Sequence, residues 1–316
     1  MKAIVCRTYR PPQLLELDDV EKPAPADDEV LIRVHAASVN PLDRVTRGRP
    51  YIIRLMTGLA KPKDVRVGRD VAGTVEAVGR NVKRFRPGDD VFGVCRGAFA
   101  EYACGREDKL ALKPANVTFD QAAAVPIAAI TALQALRDKA RLEPGSEILI
   151  NGAAGGVGTF AVQIAKSLGA RVTGVCSSKN AGRVLSIGAD EVVDYSKDDF
   201  TRSAKRYDVV LDCVGNRSLR ACCRVLKRKG IYLLVGATTL RHLLYVLLSS
   251  PSVSQKVVVV MASLRGNDLT VLAEMLEART IVPVIDRRFS LPDAGFALQY
   301  LETKHARGKV VVTIDD

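Results

Sequence analysis

The run from Ile148 to Gly158 constrains the fold more than any other part of this 316-residue chain. Ile148, Leu149 and Ile150 follow one another without polar alternation, which suits a strand covered on both faces. Asn151 and Gly152 close that strand, and Ala153, Ala154, Gly155 and Gly156 form a turn that runs straight into an amphipathic helix. Against the pattern G-x-G-x-x-G, Ala153 takes the first position, Gly155 the second and Gly158 the third. Gly155 removes a side chain where a pyrophosphate must approach the backbone, and Gly158 lets the helix pack against the strand. The helix N-terminus adds free N–H groups and a positive dipole. A glycine run alone also makes an ordinary tight turn. The strand before it and the helix after it mark a dinucleotide loop, with Ala153, Gly155, Gly156, Val157 and Gly158 as the expected contacts.

Further strand and helix patterns alternate behind this loop. Strands are expected at 171–176, 191–194, 209–213, 230–235 and 256–261, with helices at 157–168, 181–187 and 218–226. A long Ala-rich helix over 120–140, interrupted at Pro126, precedes them. The pattern predicts an α/β fold with a doubly wound parallel sheet. Residues 1–120 read differently, with short β-rich runs at 3–6, 29–36, 71–78 and 90–94 separated by Pro and Gly clusters. The tail, with a helix at 267–279, a strand at 282–289, a helix at 292–304 and a strand at 309–314, returns to that style. The division expected is therefore a mostly β domain of 1–120 and 260–316, with 121–259 as an insertion.

The next strand after the loop bears on which dinucleotide is held. An acid about 20 residues on usually bonds the ribose hydroxyls of NAD. Here the strand ends in Cys176-Ser177-Ser178-Lys179-Asn180, with no acid. Ser177, Ser178 and Lys179 suit a 2′-phosphate, Lys179 supplying charge-assisted bonds. A polar turn capping the next helix would use the same residues. The expected cofactor is NADP(H).

Composition limits the remaining readings. Lys and Arg outnumber Asp and Glu by 47 to 35, a net charge of +12 that attracts anions without choosing among them. Basic residues interleaved with stacking aromatics are absent, so no specific nucleic-acid partner is expected. The seven cysteines are odd in number and lack C-x-x-C spacing, and no leading apolar run has signal-peptide length. A cytoplasmic, reducing location is expected. The stretch 239–260 carries apolar residues on more than one helical face and is flanked by cations. It is read as a buried helix, a dimer contact, or a lid with weak membrane-surface contact.

Six segments in order give the chain a family resemblance over nearly its whole length. They are Ala36-Ala37-Ser38-Val39-Asn40-Pro41-Leu42-Asp43, Gly68-Arg69-Asp70-Val71-Ala72-Gly73-Thr74-Val75, and Arg86-Pro87-Gly88-Asp89-Asp90-Val91-Phe92-Gly93. Gly97-Ala98-Phe99-Ala100-Glu101-Tyr102, the glycine loop, and Gly188-Ala189-Asp190 with Asp194-Tyr195 complete the set. The chain resembles the medium-chain dehydrogenase/reductase superfamily, in its zinc-free, zeta-crystallin-like quinone oxidoreductase branch. That resemblance implies a Rossmann sheet inserted in a GroES-like catalytic domain, with the nicotinamide near the Asn40 loop. It implies Tyr195 beside the 2′-phosphate with Ser178 and Lys179, Thr131 by the nicotinamide ribose, and Val214 and Gly236 along the cofactor. A homodimer paired through 256–261 is also implied.

Two departures separate the chain from zinc-dependent relatives. Asn40-Pro41 stands where those enzymes carry a Cys, and Arg69-Asp70 where they carry a His-Glu pair, so no metal site is expected. His35, His242 and His305 are far apart and read as surface or packing residues. Without a metal, a substrate carbonyl must be stabilised by hydrogen-bond donors. Asn40 and Tyr51 are the catalytic candidates, with Asp43 orienting; Asn40 and Asp43 also suit a turn around Pro41. The expected reaction is NADPH-dependent reduction of a quinone or an α,β-unsaturated carbonyl. A zinc-free alcohol or ketone dehydrogenase, and a non-enzymatic NADPH- and RNA-binding protein, are the alternatives.

Overall fold

The computed structural model describes residues 1–9, 11–43, 61–62, 65–235, 246, 253–303 and 306–314. The chain divides into two compact units, residues 1–127 with 264–316, and residues 128–263. The sequence places these divisions at 120 and 260; in the structure the helix Phe119–Ala123 lies with the first unit. In chain order the early strands are β1 (Lys2–Val5), β2 (Glu16–Asp19), β3 (Glu29–Ser38), β4 (Asp70–Val78), β5 (Asp90–Val94), β6 (Tyr102–Arg106) and β7 (Leu110–Leu112). Then follow β8 (Glu147–Asn151), β9 (Arg171–Cys176), β10 (Glu191–Asp194), β11 (Tyr207–Asp212), β12 (Leu226–Leu234) and β13 (Lys256–Val259). The last two are β14 (Ile285–Ser290) and β15 (Lys309–Thr313).

In the first unit β1 and β2 form a small antiparallel sheet, and a seven-stranded sheet runs β14-β15-β3-β4-β5-β7 with β6 also paired to β3. Alternating apolar residues of β3 and β4 feed one core, which holds Ile32, Val34, Val71, Val75, Phe99, Val310 and Leu298. Register decides what meets at the strand ends. Ser38 lies opposite Asp70 on β4 and opposite Val311 on β15, so the start of β15 arrives beside Val39 and Asn40. Val39 N donates to Val310 O at 2.9 Å, fixing that approach.

The second unit is a six-stranded parallel sheet in the order β10-β9-β8-β11-β12-β13. Numbered within this unit the order is 3-2-1-4-5-6, the doubly wound Rossmann arrangement, and its direction of winding reverses between β8 and β11. Its strands are continuous apolar runs because both faces are covered; Leu149, Val210, Tyr232 and Leu234 are all fully buried.

The expected long helix over 120–140 is three pieces. A capping box opens the first, with Gln121 N donating to Thr118 Oγ1 at 3.2 Å and Thr118 N donating to Gln121 Oε1 at 3.0 Å. Pro126 restarts the helix at Pro126–Leu133, where its missing N–H costs nothing. A π-helical stretch, Gln134–Ala140, then ends at Arg141. Among the described residues no helix is long and apolar enough to cross a membrane. The stretch 239–252, apart from the buried Val246, lies outside the described residues.

Candidate functional site

The end of β8 at the winding reversal carries the glycine loop. Gly152 N and Ala153 N both donate to Val175 O at 3.1 Å, and Cys213 N donates to Asn151 O at 3.0 Å, so neighbouring strands hold the turn from both sides. Gly155 caps the helix Gly156–Ser167 without a side-chain acceptor. A Cβ at Gly158 would stand 2.1 Å from Gly152 O, whereas one at Gly155 would meet only Gly152 O at 3.3 Å. Gly158 is therefore demanded by helix–strand packing, and Gly155 leaves an open approach to the backbone. The amides of Gly156, Val157 and Gly158 have no acceptor among the described residues. Three open amides at the start of a twelve-residue helix fit a pyrophosphate.

One buried carboxylate fixes the neighbouring loop. Asp212 Oδ1 accepts from Asn151 Nδ2 at 2.9 Å, Val214 N at 3.0 Å and Gly215 N at 2.8 Å, while Tyr232 Oη donates to Oδ2 at 2.7 Å. Asp212 is fully buried, and these four donors replace its water shell. They pin Val214 next to the glycine turn. Val214, expected along the cofactor, is thus anchored by Asp212, and that anchoring depends in part on Tyr232, twenty residues further along the chain. Burial pushes the Cys176 thiol up to about 11 and Cys213 further still, so neither is a thiolate nucleophile.

On the other side of the loop, the expected phosphate-binding residues behave unequally. Lys179 is exposed and uncommitted among the described residues, and Tyr195 is 53% exposed. Ser177 stands at the N-cap position of the helix Ser178–Ser186, and its hydroxyl accepts from the Asn180 side chain (Nδ2) at 3.1 Å. Ser178 Oγ donates to Asp194 Oδ2. An acid does stand here, brought from β10 by the register Asp194↔Cys176 and not from the end of β9. The hydroxyls of Ser178 and then Ser196 hold the Asp194 carboxyl down to about 2. Thr131 is buried within the helix Pro126–Leu133. Gly236 lies outside the described residues.

The first unit holds a separate polar cluster at the β3 end. Asp70 Oδ2 accepts from Ser38 Oγ at 2.9 Å and Asn40 Nδ2 at 2.9 Å, with Lys309 Nζ at 3.4 Å, and Asp70 Oδ1 accepts from Ile127 N at 3.2 Å. Lys309 Nζ donates to Asn40 Oδ1 at 2.8 Å. Asn40 Nδ2 also donates to Ser38 O at 3.2 Å, so both its amide hydrogens are spent. Asn40 therefore offers no free donor, against the sequence expectation of an oxyanion contact. Its place is structural: it is 2% exposed and bridges Asp70 to Lys309. Asn40 N donates to Asp43 Oδ2 at 2.8 Å, and burial raises the Asp43 carboxyl to about 7. Tyr51 lies outside the described residues, as do His242 and His305. His35 packs on Phe119 at 4.3 Å and contacts Thr74 Oγ1, as a packing residue does.

The same cluster tests a zinc ion. Asp70 already faces a buried ammonium, Asn40 is fully bonded, and among the described residues no three His, Cys, Asp or Glu group to hold a metal. Residues 44–60 contain none of these four residue types. Among the described residues the donor set at this cluster does not fit zinc.

Comparison with known proteins agrees with this architecture. Residues 26–115 match the alcohol dehydrogenase GroES-like domain and residues 187–312 match the zinc-binding dehydrogenase family. The chain is 34% identical to the mitochondrial NAD(P)H oxidoreductase RTN4IP1 of Mus musculus, covering 91% of this chain and 82% of the relative. It is 33% identical to a chloroplastic NADPH-dependent alkenal/one oxidoreductase of Arabidopsis thaliana, over 99% of this chain and 79% of the relative. Escherichia coli quinone oxidoreductase complexed with NADPH superposes with a TM-score of 0.85 at 26% identity, over 99% of this chain and all of that one. With its GroES-like segments, its 3-2-1-4-5-6 sheet and these relatives, the chain belongs to the medium-chain dehydrogenase/reductase superfamily.

Proposed function

We propose that the chain is a zinc-independent oxidoreductase that uses NADPH to reduce quinones or α,β-unsaturated carbonyls. The observation that carries this reading is the row of open amides at Gly156, Val157 and Gly158, with the uncommitted Lys179 on the next helix. The amides bind the pyrophosphate, and Lys179 with Tyr195 binds the 2′-phosphate. Relatives named for NADPH, alkenals or enones, and quinones support the choice of cofactor and substrate class. When bound, NADPH supplies a hydride.

The donor chemistry at Asn40, Asp70 and Lys309 supports the reading of zinc independence. Hydride arrival at a conjugated alkene or quinone spreads negative charge, which modest hydrogen bonding stabilises; an isolated ketone without a Lewis acid is harder to reduce. Asn40 and Asp43 act as positioning residues, and the Tyr51 phenol is the remaining candidate donor to the substrate oxygen. The β13 edge, with Met261 83% exposed just beyond it, is proposed to pair with a second copy in a homodimer. All seven cysteines are free thiols, which accords with a reducing, cytoplasmic location.

NADPH oxidation followed against a panel of quinones, enones and simple ketones, with and without a chelator, tests the reading. Turnover of conjugated substrates that survives chelation is expected. NADPH binding without turnover of any of them would favour the non-enzymatic alternative. Stoichiometric zinc with activity lost to chelator would overturn zinc independence.

A further inference from the structure

The six-stranded sheet carries at its opposite end a feature that dinucleotide binding leaves unused. β11 and β12 pair at Tyr207↔Leu226 and resume at Val209↔Ile231. Asp208 alone on β11 thus faces Lys227, Arg228, Lys229 and Gly230 on β12, and the surplus is forced out of the ladder as a bulge. Three of its four residues are cations, and all three are exposed. Lys227 pairs with Asp208 at 2.8 Å, while Arg228 and Lys229 have no hydrogen bond or ion pair among the described residues.

A fourth cation comes from a strained position. Arg141 ends the π-helical stretch with φ 50° and ψ 55°, a left-handed conformation costly for any residue with a Cβ. Its backbone N–H donates to Leu136 O, as a glycine would do in the same place. Arg141, Ser146 and the bulge line one open cavity of about 510 Å³. That volume lies within the range of small-molecule sites. Two carboxylates also line it, Glu143 and Asp208, and Asp208 is occupied by Lys227 and the Glu147 amide. Four cations against two carboxylates leave the cavity short of negative charge.

The surrounding field adds to this. Residues 128–263 hold 19 of the chain's 47 Lys and Arg but only 10 of its 35 Asp and Glu, so +9 of the net +12 resides in this unit. The length of β8 separates the cavity from the glycine loop by about 13 Å, at 3.3 Å per residue. One phosphate group does not reach both.

We propose that Arg141, Lys227, Arg228 and Lys229 form a second anion site, for a small molecule bearing at least two phosphate groups. The site is independent of the oxidoreductase reading. Clustered phosphates match the uncompensated charge, and the two guanidinium groups suit bidentate contact with phosphate oxygens. A soluble sugar bisphosphate and a phosphoinositide headgroup share this chemistry.

Calorimetric titration of the full chain with inositol hexakisphosphate, in the presence of saturating NADPH, tests the proposal. Binding should persist with NADPH present and remain unchanged in Lys179→Ala. Arg228→Ser/Lys229→Ser should weaken it by about tenfold or more through loss of charge-assisted bonds. Arg141→Gly should weaken binding while raising the melting temperature of the unliganded protein, because it removes charge and backbone strain together. Competition by vesicles containing phosphatidylinositol 4,5-bisphosphate would assign the lipid headgroup, and competition by fructose 1,6-bisphosphate alone the soluble source. Binding abolished by NADPH, or indifferent to the bulge substitutions, would overturn the site. Tighter capture of a single-stranded RNA oligonucleotide, lost in the same variants, would replace it with a nucleic-acid surface.

Discussion

Lys309 Nζ donates to Asn40 Oδ1 across 2.8 Å, joining side chains 269 positions apart in the sequence. The bond closes a buried circuit in which Asn40 passes its amide hydrogens to Asp70 and Ser38 while the Lys309 ammonium neutralises Asp70. Lys309 is 4% exposed and Asp70 fully buried, so the ion pair is shut away from solvent.

Removing one partner of such a pair strands the other. Lys309→Met should destabilise the protein by about 3–5 kcal/mol, read from the midpoint of urea unfolding at constant m value. Lys309→Met combined with Asp70→Asn should recover a large part of that loss, since neither partner of the pair is left charged without the other. A single substitution costing less than about 1 kcal/mol would place the pair among weak surface bridges instead.

Asp43 makes the same corner sensitive to pH. Burial raises its carboxyl from the ordinary 3.8 to about 7, so the folded protein holds this proton more tightly than the unfolded chain. Its contribution to stability is full below about pH 4 and is lost as pH rises toward about 7. Asp43→Asn keeps an acceptor for Asn40 N and should flatten stability across that window, leaving the variant relatively more stable at pH 8. Parallel pH profiles for both proteins would show that Asp43 titrates normally.

How much of this was legible beforehand depends on distance along the chain. The strand, turn and helix from Ile148 to Gly158 are local, and the apolar run with glycines at fixed offsets specifies them before any tertiary contact forms. Lys309 reads in sequence as the first residue of an ordinary strand. Only the pairing of β15 with β3 carries it to Asp70, 239 residues away. The same cause hides Asp194: the local pattern points to the end of β9 for an acid, and parallel register delivers one from β10. The break of the 120–140 helix into three was half visible, since Pro126 announces one boundary while nothing local marks the π-helical turn after Leu133.

Under the proposed function, Lys179 on the helix after β9 and Asp194 at the end of β10 together set the cofactor preference. Lys179→Ala should raise the Michaelis constant for NADPH about tenfold, the lower end of a lost charge-assisted bond at an exposed site, and barely change that for NADH. Asp194 works in the other direction, since its carboxylate repels a 2′-phosphate and draws away the Ser178 hydroxyl hydrogen. Asp194→Asn should therefore lower the constant for NADPH and raise the one for NADH. Equal changes for both cofactors would remove Asp194 and Lys179 from the binding of the 2′-phosphate.

Tyr232 offers a way to separate anchoring from folding in the loop beside the glycine turn. Its hydroxyl is one of four donors to Asp212, and it is the one that approaches from inside the core, on β12. Tyr232→Phe keeps the packing of a fully buried ring but leaves Asp212 Oδ2 short of a partner, at a cost of roughly 1–3 kcal/mol. Asn151→Ala removes a second donor and opens a small space, so it should cost at least as much. The two should differ in function. Asn151 and the amides of Val214 and Gly215 share Oδ1, and losing Asn151 lets Asp212 turn and release Val214. Asn151→Ala should then weaken NADPH binding severalfold in fluorescence titration, whereas Tyr232→Phe should lower the unfolding midpoint with NADPH affinity within about twofold, roughly 0.4 kcal/mol. If Tyr232→Phe weakened NADPH as much as Asn151→Ala, Asp212 would be acting as one rigid unit and the separation between its two oxygens would be lost.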